Sequence, residues 1–303
     1  MFSIHKLKDT NTVPESIITI GNYDGLHLGH QMIIENMIAC SKVNNLPVII
    51  ITFDPHTNDI IYNIDTGLLM SLPQKIAKME TFNIDYLCIV DFDKKVAHMH
   101  VDDFMEIIIN KYNPKYIFFG YDNKFGHKRL GSYEYFKNND KFKNIIPIEC
   151  SQYLYKDKDV KSSVIKNLIK NGNMTDVNKL LGYKYNLIGK IVKGDQIGSK
   201  IGYPTANLTI YDNKQLIPDN GVYSVNLIVE SKIYNGICNI GVRPTMNKSS
   251  DIRVEIHILN VKDISLYGIK VNLEFNYKLR DEIKFNSIEE LKEQIKNDIM
   301  SLN

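Results

Sequence analysis

The stretch ITIGNYDGLHLGHQMII, residues 18–34, sets three glycines and two histidines between a β-branched run and an aliphatic one. It reads as a strand that passes through a glycine-rich turn into a helix. Gly21, Gly25 and Gly29 let the main chain approach a bulky anion, and the amides opening the helix can point at it. His27 and His30, three residues apart, share one face of the first helical turn. Two imidazoles there can donate hydrogen bonds to phosphate oxygens and stabilise negative charge as it moves onto a leaving group. Neither G-x-x-x-x-G-K-[ST] nor G-x-G-x-x-G is present, so the usual P-loop and dinucleotide templates do not fit. By themselves the residues fit equally a glycine-rich turn with two surface histidines.

On either side of this turn, short apolar runs at 17–20, 48–53, 86–90, 116–119 and 145–148 alternate with amphipathic stretches at 32–39, 74–82 and 102–111. Aliphatic residues recur there at helical spacing. Parallel strands need crossover connections, so the pattern predicts an α/β domain with a mainly parallel, Rossmann-like sheet and flanking helices. Helical patterns at 164–170 and 175–181 close this half. After Gly182 the texture changes: 186–195, 221–229, 232–241, 253–260 and 269–279 are β-rich runs separated by Gly, Asn and Asp, as in antiparallel hairpins. They predict a compact antiparallel β-barrel. A final helix over 287–299 carries Ser287 and Glu290 at capping-box spacing. The expected domains are 1–182 and 183–303, and 303 residues are enough for two hydrophobic cores.

A formal net charge of +2 is too small to imply a nucleic-acid or anionic-membrane partner. The expected partner is a small molecule, and the expected state a monomer or weak homo-oligomer. Cys40, Cys88, Cys150 and Cys238 form no C-x-x-C pair, which argues against a zinc site or a disulfide framework. No apolar run approaches the roughly 18 residues of a membrane span, and the N-terminus lacks a secretory pattern. A cytoplasmic location is expected.

GNYDGLHLGH resembles the G-x-F-D-G-x-H-x-G-H signature of the bacterial bifunctional riboflavin kinase/FAD synthetases. TFDPHT at 52–57, GYDNKFGHKRLG at 120–131 and VKSSVIKNLIKNG at 160–172 are similar to that family's second, third and fourth motifs. The resemblance implies that His27 and His30 hold the phosphates of ATP inside a loop formed by Gly21, Asn22, Tyr23, Asp24, Gly25 and Gly29. It implies that Ser162, Ser163 and Lys166 also serve the nucleotide, and that Asp122 and Arg129 serve nucleotide and flavin phosphate. The phosphate of FMN would attack the α-phosphorus of ATP, releasing pyrophosphate, with no protein nucleophile. The family usually has Arg at the position of Lys166 and a small hydroxyl residue at that of Lys161; lysine keeps the charge but loses the bidentate fork. His56 is given no catalytic role.

The second half opens with GKIVKGDQIGSKIGYPTANL, residues 189–208. Its glycines suit a loop around phosphates, and Thr205 and Asn207 offer oxygens of the kind Mg²⁺ accepts beside a nucleotide. P-T-A-N alone also reads as a turn. It resembles the riboflavin kinase motif G-x-P-T-A-N, and the likeness continues through GVYSV (221–225), NGICNIGVRPT (235–245), VEIHILN (254–260) and LRDEIKF (279–285). It implies phosphate contacts from Gly194, Lys200, Gly202 and Thr205, with Lys200 acting because Ser199 stands where bacterial members often have Arg. It implies a flavin contact from Arg280 and a general base at Glu255 for the ribityl hydroxyl. Without the motif, Glu255 reads as a strand glutamate facing solvent or a lysine. His257 reads as structural. The sequence thus predicts phosphorylation of riboflavin to FMN by the barrel and adenylylation of FMN to FAD by the α/β domain, both with ATP and Mg²⁺. The competing readings are an enzyme with one inactive module and a flavin-binding regulator without turnover.

Overall fold

The structure is a computed structural model that describes residues 2–302 except 10–11, 63–65, 157, 194–197, 199–201, 244–250 and 262–265. By internal contacts the chain divides into two compact units, Met1–Ser162 and Ser163–Asn303.

In the first unit the elements run β1 (Ser3–Lys6), β2 (Ser16–Ile20), α1 (Leu28–Asn44), β3 (Val48–Asp54), α2 (Thr57–Ile61), α3 (Leu72–Glu80), β4 (Tyr86–Asp91), α4 (Lys94–Ala97), α5 (Val101–Tyr112), β5 (Pro114–Phe119), α6 (Tyr133–Lys137) and β6 (Ile146–Glu149), then a small hairpin of β7 (Leu154–Tyr155) and β8 (Lys158–Asp159). The six main strands form one sheet in the order β1-β4-β3-β2-β5-β6. Every neighbouring pair in it is parallel. All of β2 and the first six residues of β3 are buried, which is why they read as unbroken apolar runs: helices cover both faces of a parallel sheet. Edge strand β1 carries the polar pattern SIHK and gives no comparable signal. Helices α2, α4 and α6 are too short for periodicity to show. Helix α1 exceeds the expected 32–39 because its first turn, LGHQ, lacks an aliphatic stripe. It ends at Asn45, whose left-handed φ of 54° stops it.

From β2 the chain steps outward through β3 to β4, then returns to place β5 on the other side of β2. The direction of winding therefore reverses between β2 and β5. In open α/β sheets a crevice opens at such a point, outside the carboxyl ends of the strands. The loops after β2 and β5 carry the first and third motifs, and the segment after β3 carries the second.

The second unit contains α7 (Ser162–Lys170, whose first residue belongs to the unit before), α8 (Met174–Leu181), β9 (Asn186–Val192), β10 (Ala206–Ile210), β11 (Gly221–Val229), β12 (Lys232–Arg243), β13 (Asp251–Ile258), β14 (Lys270–Arg280) and α9 (Ile288–Met300). The strands close a barrel in the order β10-β13-β12-β11-β14-β9, with β9 pairing back onto β10. Leu187, Ile191, Tyr223, Val225, Leu227, Cys238, Ile256, Leu273 and Phe275 are buried on alternate positions and fill it. Strand β10 lies in a stretch that also read as a turn; Ala206 is its first residue.

The compact units part ahead of the change of texture at Gly182. Helix α8 packs on β14, where the Asn178 amide donates to the Phe275 and Asn276 carbonyls at 2.8 and 3.1 Å and accepts from the Tyr185 N–H at 2.8 Å. Ahead of α9, Ser287 accepts from the Glu290 N–H at 3.1 Å, while the Glu290 carboxylate reaches the Asn286 N–H at 2.9 Å, one residue beyond a reciprocal box. All four cysteines are free thiols, and among the described residues no helix is long and apolar enough to cross a membrane.

Candidate active sites

The loop from Gly21 to His27 is built on left-handed backbone: Tyr23, Gly25 and Leu26 have φ of 51°, 82° and 38°. Gly25 is required there twice over, since a Cβ would also lie 2.5 Å from the Leu69 Cδ1. Asp24 is buried and accepts from the Leu69 N–H at 2.9 Å, while its carbonyl accepts from the Ser162 hydroxyl at 2.9 Å. Thr19 donates to the Phe118 carbonyl at 2.9 Å and so accepts from the Tyr23 hydroxyl at 2.5 Å. Asn22 donates to the Thr57 hydroxyl at 2.8 Å, tying the loop to the second motif. His56 caps α2 through Nδ1, which accepts from the Asn58 N–H at 3.3 Å; the role is structural.

His27 is the N-cap of α1, and its Nδ1 accepts from the His30 N–H at 3.4 Å. In the neutral ring the proton then sits on Nε2, which is left to donate. The two imidazoles stack at 3.7 Å between centroids, 17° from parallel, with Tyr23 packed 5.0 Å from His30. A Cβ on Gly29 would lie 3.2 Å from the His27 Nδ1. His27 is 5% exposed, and on the half-buried His30 the Nδ1 is buried without a hydrogen-bond partner among the described residues. Burial lowers the His27 pKa to about 4 against the pull of Asp24 and Asp122. His30 is held well below its ordinary range by burial, His27 and Lys75. Both rings are neutral near pH 7. The amides of the first turn of α1 and these two neutral rings are groups that could receive an anion without bringing net charge of their own.

Two lysines complete the surroundings. Lys75 of α3, 7% exposed, donates to the Asn22 carbonyl at 2.7 Å and approaches the Thr52 hydroxyl at 3.4 Å. No motif pointed to it; the signal is its place at the buried fourth residue of a helix opened by a Ser71/Gln74 capping box. Lys161 pairs with Asp122 at 3.4 Å and with Asp159 at 3.0 Å, so Asp122 meets a cation of the fourth motif. Arg129, at a left-handed φ of 59°, lies 3.5 Å from the Asp122 carbonyl through Nη2. Ser163 and Lys166 stand on α7 and group with the second unit, Lys166 being buried.

A cleft beside this loop encloses about 780 Å³, its open mouth included. Gly21, Asn22 and Arg129 line one part of it. Phe53, Phe92, Phe104, Phe125, Val96 and Met99 make an apolar wall. Gly21, Asn22 and Arg129 were singled out by the sequence; the four phenylalanines of the wall come from four separate segments and meet through the fold.

On the barrel, register decides which side chains meet. Asn207 lies opposite Glu255, Glu255 opposite Asn239, Asn239 opposite Val222, and Val222 opposite Arg280. Because Val254 and Ile256 fill the interior, Glu255 and its partners in this row project outward. Asn239 was not singled out by sequence. Arg253 stands 3.8 Å from the Glu255 carboxylate. Next to the row, the His257 Nδ1 lies 2.9 Å from the Pro204 carbonyl and its ring packs edge-on to Tyr203 at 5.5 Å, so His257 holds the loop that delivers Thr205. Gly202 has a left-handed φ of 88°, and the Tyr203 N–H bonds the Gly198 carbonyl at 2.9 Å. Arg280 is committed elsewhere: it forks onto buried Asp298 of α9, with Nε and Nη2 each 2.9 Å from a carboxylate oxygen, and bonds the Asp281 carbonyl at 3.0 Å. Gly194, Ser199 and Lys200 lie outside the described residues.

The FAD synthetase family model matches residues 9–164 and the riboflavin kinase family model residues 181–303. The chain is 35% identical over 98% of its length to the bifunctional riboflavin kinase/FMN adenylyltransferase of Buchnera aphidicola subsp. Schizaphis graminum, covering 95% of that protein. It is 32% identical to the enzyme of the same name from Haemophilus influenzae, covering 98% of this chain and 96% of that one. A solved structure described as a macrolide-efflux protein from Streptococcus pneumoniae superposes with a TM-score of 0.90 at 26% identity, over 99% of this chain and 97% of that one. The family models match the two modules in chain order, and the relatives match nearly end to end. The chain belongs to the bifunctional riboflavin kinase/FMN adenylyltransferase family.

Proposed function

We propose that His27 and His30 carry adenylyl transfer from ATP to FMN in the first unit, and that the row through Asn207 and Glu255 carries phosphorylation of riboflavin on the barrel. The single observation that supports the first assignment is the neutral, stacked histidine pair at the N-terminus of α1, beside the reversal between β2 and β5. An oxygen of the FMN phosphate attacks the α-phosphorus of ATP; the bond to the bridging oxygen of the β-phosphate breaks, and pyrophosphate leaves. The charge that gathers on pyrophosphate is met by the Nε2–H of His27, by His30 and by the helix amides. The cleft's aromatic wall fits the flat, apolar side of a flavin ring, with Arg129 at its polar end. Ser162 and Asp24 hold the loop.

In the kinase, Glu255 accepts the proton of the ribityl hydroxyl as its oxygen attacks the γ-phosphorus and ADP leaves. The Thr205 hydroxyl and the Asn207 amide oxygen are half-exposed donors on the outer face beside Glu255, a set that suits Mg²⁺ and would hold it there. When bound, Mg²⁺ supplies neutralisation of the nucleotide phosphates. Gly194, Lys200 and Gly202 serve those phosphates, and Arg280 serves the flavin by fixing α9 and the LRDEIKF segment.

Purified protein incubated with riboflavin, ATP and Mg²⁺, with FMN and FAD separated chromatographically, tests both assignments. His30→Ala is expected to slow FAD formation by on the order of 100-fold while FMN still accumulates. Glu255→Gln keeps the shape and removes the proton acceptor, so FMN formation falls steeply and supplied FMN is still adenylylated. Parental FAD formation in the first variant, or parental FMN formation in the second, removes that residue from its step.

A further inference from the structure

The residue that fastens the histidine loop from beneath is Lys75. It stands on α3, whose start is fixed by a full capping box: the Ser71 N–H donates to the Gln74 side chain at 2.8 Å and Ser71 caps the Gln74 N–H. That cap turns Gln74, Lys75 and Met79 inward. A buried ammonium costs several kcal/mol of desolvation unless well-placed acceptors answer it, so a lysine 7% exposed marks a position that the surroundings were built to use. Among its acceptors are the Asn22 carbonyl at 2.7 Å and the Thr52 hydroxyl at 3.4 Å. Thr52 itself donates to the same Asn22 carbonyl at 3.1 Å. One carbonyl of the glycine loop is thereby joined to the end of β3 and to α3. The Asn22 side chain joins the loop to Thr57 as well.

Charge makes this more than a tether. The proposed anion site has neutral imidazoles, and a triphosphate entering it brings negative charge that hydrogen bonds alone do not cancel. We propose that Lys75 is a positioning residue for adenylyl transfer: it holds the Asn22 carbonyl, and with it the histidine loop, and places a fixed positive charge at the base of that loop. The proposal rests on the assignment of adenylyl transfer to the histidine pair and adds to it the source of the site's positive potential. In a dry pocket such a charge acts strongly over a few ångströms and needs no reorganisation when pyrophosphate forms. The same field pushes the His30 pKa down. The other titratable groups around the two rings are Tyr23, packed on His30, and Asp24 and Asp122, whose charges act on His27.

The test compares Lys75→Met with Lys75→Arg in the full-length protein, alongside His30→Ala. In folded Lys75→Met, shown by a cooperative melt, the kcat of FAD formation is expected to fall by on the order of ten- to hundredfold. FMN formation from riboflavin should stay within about twofold, since Lys75 lies in the other unit. Lys75→Arg, which keeps the charge, should recover part of the loss. Nuclear magnetic resonance of labelled histidine should show the His30 ring titrating at higher pH in Lys75→Met. Folded Lys75→Met with parental kcat and an unmoved His30 titration overturns the proposal. If Lys75→Met does not fold, Lys75→Gln is judged by the same two readouts. Parental FAD formation in His30→Ala with a defective Lys75→Met would defeat the assignment of the histidines and leave Lys75 in place; the reverse pattern defeats Lys75 alone.

Discussion

The stacked histidines should make the first unit sensitive to mild acid. Burial holds the His27 pKa at about 4, against an ordinary 6.5 in the unfolded chain. The sign follows from which state takes the proton first. Above pH 6.5 both states are neutral and the site has no pH dependence. As pH falls below 6.5 the unfolded chain binds a proton that the folded site refuses, so stability is lost progressively until pH falls through 4. At pH 5 the linkage relation gives a loss of about 2 kcal/mol, and the full displacement corresponds to about 3.4 kcal/mol below pH 4. His30 pushes the same way, and rings 3.7 Å apart resist a second charge further. His27→Asn keeps an N-cap acceptor for α1 while removing the titration. Urea unfolding from pH 7.5 to 5, read by pulse proteolysis with cleavage products assigned to each unit, should show the parent losing about 2 kcal/mol more than His27→Asn in the first unit. Parallel losses in the two proteins would refute the assignment of a suppressed proton to this ring.

Removing Asp298 strands the Arg280 guanidinium, 17% exposed in the pair, so Asp298→Ala should cost the barrel unit about 3 kcal/mol in urea unfolding. Arg280→Met/Asp298→Leu should recover most of it, and a cost under about 1 kcal/mol would show the fork to be dispensable. A fragment from Ser163 to Asn303 should fold and phosphorylate riboflavin with a clearly higher urea midpoint than one from Tyr183 to Asn303. The shorter fragment lacks the Asn178 bonds and the buried Ile165, Ile169, Met174, Val177, Leu180 and Leu181, each worth roughly 1.5–3 kcal/mol of burial before ordering costs. Equal midpoints would show that α7 and α8 contribute nothing to the barrel. Asn239→Ala, which alters the row beside Glu255, should raise the riboflavin KM severalfold with FAD formation from supplied FMN unchanged, measured by initial rates; an unchanged KM would exclude Asn239 from the site.

What the sequence by itself determined was whatever is local or periodic. Buried parallel strands need unbroken apolar runs, so β2 to β5 were legible, as were the glycine turn, the longer amphipathic helices and the alternating barrel strands. Motifs in order identified the family. The tertiary structure decided which residues meet across the chain. Lys75 carries no motif, and only the packing of α3 under the loop brings its ammonium to the Asn22 carbonyl. Asn239 joins Glu255 through strand register, which a one-residue slip would reverse. Arg280 reads as a ligand in sequence, yet Asp298, eighteen residues onward on α9, takes its fork. That His27 is buried and both rings are neutral follows from β2, α1 and the loop after β5 packing around them, since desolvation depends on every neighbour and not on the spacing H-x-G-H.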